Sequence, residues 1–127
     1  MTRAQLGSLL TGLAGAGFLG TAALHGTGYD SVTQLAAQGP ADLQALVPAL
    51  WVVFSLDLVV IGLILAVVAR RPIPRDRLLL AVAAFSPVGA ALLQIRFLGF
   101  IPPTAILLAL GAFTLTAAVV VPPATRA

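Results

Sequence analysis

Cysteine is absent from the 127 residues, and that excludes disulfides, thiolate metal sites, iron–sulfur clusters and dithiol redox chemistry. Lysine and glutamate are absent too: the seven basic residues are all Arg and the four acidic ones all Asp. One His completes the set. That leaves few groups for acid–base catalysis, and one imidazole cannot make an all-protein zinc site. No catalytic residue, metal site or cofactor is therefore expected.

Charge is scarce as well. Charged residues make up 9% of the chain and hydrophobic ones 60%, with a mean hydropathy of +1.08. A soluble domain carries roughly a quarter charged residues to solvate its surface, so most of this surface must face lipid. The net charge of +3 and an isoelectric point near 11.2 would suggest nucleic acid in a soluble protein. Here the Arg residues sit in short loops between apolar runs, where they orient a chain in a bilayer, so no nucleic-acid partner is expected. Arg without Lys, Asp without Glu, and abundant Ala, Leu and Gly suggest a GC-rich bacterial genome and hence the cytoplasmic (inner) membrane.

What is present in quantity is long apolar runs. Four spans are expected, at about 5–25, 46–69, 78–100 and 104–121. Crossing ~30 Å of hydrocarbon takes about 20 helical residues, and only helices satisfy their own backbone groups across runs of this length. The reading is an all-α integral membrane protein in one domain, a four-helix transmembrane bundle running up-down-up-down. An outer loop at 26–45 is expected to hold a short interfacial helix over 40–48, with Pro40 first and Pro48 kinking it into the second span. A cytoplasmic loop is expected at 70–77, and Thr104 is expected to N-cap the fourth helix.

Orientation follows from the Arg residues. Arg3, Arg70, Arg71, Arg75, Arg77 and Arg126 fall on one side, whereas Asp30 and Asp42 fall on the other with Arg96 near that boundary. Positive residues stay inside, so both ends are expected in the cytoplasm (N-in, C-in). Arg3 and Thr21-Ala22-Ala23 also resemble a cleavable secretory signal, but the span is longer than a typical signal core.

Two patterns bear on function. Ser8, Gly12, Ala16 and Gly20 recur every four residues, and Gly89 lies beside Pro87. Small residues let helices approach closely, within the bundle or in a homo-oligomer. The other pattern is polar. Asp57 lies inside the second span, where a carboxylate costs roughly 2.5–3.5 kcal/mol at a helix centre. It is expected to face the interior and meet Gln94 or Arg96 of the third span, either as a structural tie or within a polar cavity. With His25, Ser55 and Tyr29 over its mouth, Asp57, Gln94 and Arg96 define an outward-facing candidate pocket. Taken alone, His25 at a helix end is expected to cap carbonyls.

Three functions fit these residues. A small non-enzymatic subunit or scaffold binding a larger membrane complex or lipid fits the scarcity of polar groups best. An oligomeric transporter of small molecules or ions would use Asp57. A membrane enzyme on a lipid-soluble, apolar substrate would use His25 and Asp57 in the outer-leaflet pocket. The partners implied are the bilayer, a second copy or larger complex, and an apolar small molecule.

Overall fold

A computed structural model of the chain describes residues 1–70 and 76–121, apart from the Asp76 side chain. Most of the loop expected at 70–77, with Arg71 and Arg75, and the chain after Val121, with Arg126, lie outside the described residues. The described residues form five helices: α1 (Arg3–Gly26), α2 (Tyr29–Ala36), α3 (Ala41–Arg70), α4 (Asp76–Leu98) and α5 (Pro102–Val120). All but α2 are long and apolar enough to cross a membrane. The fold is that of a multi-pass, all-helical membrane protein.

The helix starts follow from local chemistry. Thr2 and Gln5 cap α1 reciprocally: the Gln5 N–H donates to Thr2 Oγ1 at 3.2 Å, and the Thr2 N–H to Gln5 Oε1 at 2.8 Å. At α5 the expectation needs correcting, since Thr104 is its third residue and not its cap. Pro102 and Pro103 open the helix because their missing N–H groups would have no partner there anyway. The interfacial helix expected over 40–48 is also replaced. The loop's own helix is α2, and α3 starts at Ala41 and runs unbroken through Pro48. Pro48 lies within the first turns, where the Gln44 carbonyl it leaves free is near the helix end, and Gln44 Nε2 ties this turn back to the Gly39 carbonyl at 3.1 Å.

Packing sets the layout. α1 lies against α3 and α5, α5 lies also against α4, and α2 covers the N-terminal part of α3; α3 and α4 scarcely touch. Phe18, Leu58, Leu65, Leu80 and Leu107 are fully buried between the spans. The tightest crossing joins α1 to α3: a Cβ on Gly15 would stand 3.0 Å from the Gly62 carbonyl oxygen and 3.1 Å from the Ala66 nitrogen. Where α5 meets α4, a Cβ on Gly111 would stand 2.5 Å from Val88 Cγ2.

The face that α1 buries is Gly7, Thr11, Ala14, Gly15, Phe18 and Ala22. Of the expected stripe, Ser8 and Gly12 are half-buried, while Ala16 and Gly20 are exposed. A step of four residues overshoots a 3.6-residue turn by about 40°, so a stripe of strict fours winds off the contact face by its third or fourth member. A Cβ on Gly20 or on Gly89 would meet nothing within 4 Å, so neither glycine marks a close approach among the described residues.

Candidate functional site

The gap between α3 and α4 is where polar and aromatic side chains collect, at the end of the bundle where α1 finishes. His25 stands in the last turn of α1. Its Nδ1 lies 2.8 Å from Ser55 Oγ, and Ser55 Oγ lies 3.0 Å from the Trp51 carbonyl oxygen. Both contacts are satisfied together when the Ser55 hydroxyl donates to the Trp51 carbonyl and Nδ1 of His25 donates to Ser55. The return contact is Trp51 Nε1–H donating to the His25 carbonyl at 3.0 Å. The two rings stack at 3.7 Å and 16°, with Phe54 edge-on to the imidazole at 5.0 Å. His25 thus spends its side chain on α3 and not on capping carbonyls of its own helix.

Gln94 reaches the same region from α4. Its Oε1 accepts from Thr104 Oγ1 at 2.9 Å, and Thr104 Oγ1 accepts in turn from the Ile101 N–H at 3.4 Å. The Gln94 amide nitrogen and His25 Nε2 have no hydrogen-bond partner among the described residues, and neither is a buried orphan. Both are accessible.

These side chains border two apolar cavities. One, of about 250 Å³, lies between α1, α3, α4 and α5 and is lined by His25, Trp51, Phe54, Gln94, Ile106 and Leu107 among others. The second, of about 380 Å³, opens between α3 and α4 past Leu50 and Leu93. His25, Trp51, Phe54 and Gln94 line both. The gap exists because α3 and α4 stand apart.

Other expected members lie elsewhere. Asp57 is exposed and takes part in no hydrogen bond or ion pair among the described residues. The expected tie to Gln94 or Arg96 is therefore corrected, on the phase of the helix and the spacing of α3 and α4. Leu58 is the residue turned fully inward, and its neighbour Asp57, about 100° round the helix, points out. The Ser55–His25 bond sets Ser55 level with the last turn of α1, and Asp57 follows about 3 Å further along α3 at 1.5 Å per residue. Arg96 is exposed, with its guanidinium 5.4 Å from the centroid of the Phe97 ring. Tyr29 is 40% exposed and lines neither cavity.

Trp51 and Phe54 were not among the residues the sequence singled out for the site. The signal was present, since Trp51, Phe54 and Ser55 stand at three- and four-residue spacings on one helix face. No group of three or more His, Cys or acidic residues able to hold a metal occurs among the described residues.

The arrangement can hold an apolar molecule and offer it two polar atoms. Nucleophilic chemistry is poorly served: Ser55 borders neither cavity, its hydroxyl is engaged by the Trp51 carbonyl and His25, and no carboxylate backs His25 among the described residues. No family model matches the chain, and neither a curated protein nor a solved structure matches it.

Proposed function

We propose that this chain is a non-enzymatic four-span protein of a bacterial cytoplasmic membrane that holds a lipid-soluble molecule near the outer surface, in the cavities around His25. The observation that carries this reading is the pair of apolar cavities sharing His25, Trp51, Phe54 and Gln94. Small-molecule sites are concave and mostly apolar with a few placed polar groups, and this one opens sideways where a membrane-dissolved molecule would enter. The Arg asymmetry of the sequence supports an outer-half site with both chain ends inside. Organic extraction and mass spectrometry of protein purified in mild detergent test the reading. A lipid-soluble molecule should co-purify with the wild type and be depleted in Ile106→Phe, whose larger side chain crowds the cavity. Equal recovery from both would remove its support.

A second reading, as a subunit of a larger membrane complex or homo-oligomer, draws on Asp57. An exposed carboxylate within a span calls for a donor from outside the chain, and Val53, Val60 and Ile64 flank it on an outward apolar face. Asp57→Leu should release that neighbour, seen as a smaller particle on native gels of detergent extracts. A particle unchanged in size would count against it.

A further inference from the structure

We infer that the cavity selects a single-chain lipid alcohol, with its hydroxyl held between His25 and Gln94 and its chain lying in the gap between α3 and α4. The inference rests on the proposed binding function and adds the chemistry of the head group.

The argument starts from proton counts. In the arrangement that satisfies both Ser55 contacts at once, the Ser55 proton goes to the Trp51 carbonyl, His25 donates through Nδ1 and its Nε2 keeps a free lone pair. Nε2 is therefore an acceptor. On the other side, Gln94 Oε1 already accepts from Thr104, so the part of Gln94 without a partner among the described residues is its amide nitrogen, which only donates. The site thus presents one acceptor and one donor. A hydroxyl is the smallest group that matches both, giving its proton to Nε2 and receiving one from the amide. An ether or a ketone can only accept, which leaves Nε2 without a proton to take. A phosphate or other double anion is a poor guest, since no Arg lines either cavity among the described residues.

Shape limits the rest of the molecule. The inner cavity of about 250 Å³ is smaller than the roughly 300–1,000 Å³ typical of drug-sized sites. A long chain exceeds this volume and would run on into the second cavity, which shares His25, Trp51, Phe54 and Gln94 with the first and has Leu50 and Leu93 as apolar walls. Bulky two-chain lipids would need α3 and α4 to separate further.

The test uses the full chain in nanodiscs and three probes: 1-dodecanol, its methyl ether and dodecane. Trp51 is the sole tryptophan and borders both cavities, so its emission reports occupancy directly. Dodecanol should shift the emission at a concentration about tenfold below that needed for the ether, as expected for one or two satisfied polar contacts. In Gln94→Leu, and separately in His25→Phe, which keeps a ring against Trp51, that preference should fall below about threefold. Equal response of the wild type to alcohol, ether and alkane would overturn the head-group inference and leave the apolar-ligand reading standing. No response to any of the three would overturn both.

Discussion

Three contacts fix the imidazole of His25: Ser55 at one ring nitrogen, the Trp51 indole against one face and Phe54 at an edge. With only one His in the chain, its two ring nitrogens give a ¹⁵N spectrum free of overlap. That spectrum should show the proton on Nδ1 and a bare Nε2. Ser55→Ala removes the acceptor that fixes this tautomer, so the spectrum should move toward protonated Nε2, with a loss of about 1 kcal/mol in stability. A wild-type spectrum with the proton on Nε2 would reverse the donor–acceptor pattern of the site. At this scale the sequence was partly readable. His25, Ser55 and Gln94 stand out as polar residues in apolar runs; Ser55 bonds His25, and Gln94 lines the same two cavities as His25. Asp57 stood out as strongly and points away, because one residue of helix phase decides which side chain turns inward, and Leu58 is that residue.

Among the elements, length and hydropathy made the four long helices plain, because lipid leaves the backbone no other way to satisfy itself. Their neighbours were not legible. Nothing in the apolar runs says that α1 would insert between α3 and α5, or that α3 and α4 would part, since Leu and Val faces pack against many partners. Gly15 and Gly62 carry that information, and an isolated glycine in a long apolar helix was the available cue. Gly15→Leu should force α1 from α3 at a cost of about 1–3 kcal/mol and lower the thermal midpoint by several degrees. Gly20→Leu should leave it unchanged, because a side chain there meets open space. A larger loss from Gly20→Leu than from Gly15→Leu would contradict the crossing described. Arg77 of α4 anchors the far end, its Nε and Nη2 donating to the carbonyls of Val121 and Val119. This arrangement satisfies carbonyls that the end of α5 leaves open.

For the molecule as a whole, orientation and occupancy are the two things to establish. A cysteine at Gln38 should react with an impermeant thiol reagent in intact cells, and one at Thr2 should react only after lysis; the chain's lack of native cysteine makes the assay clean. Labelling of Thr2→Cys in unbroken cells would reverse the topology and put the cavities on the inner side. The central claim, that a membrane-dissolved molecule enters between α3 and α4 and rests against His25, is tested most directly by photolabelling. A dodecanol carrying a diazirine near its hydroxyl, irradiated with the protein in nanodiscs, should mark Trp51, Phe54 and Gln94, and excess dodecanol should suppress those adducts. Adducts spread over outward residues such as Phe85 and Val119, with no suppression by competitor, would contradict it.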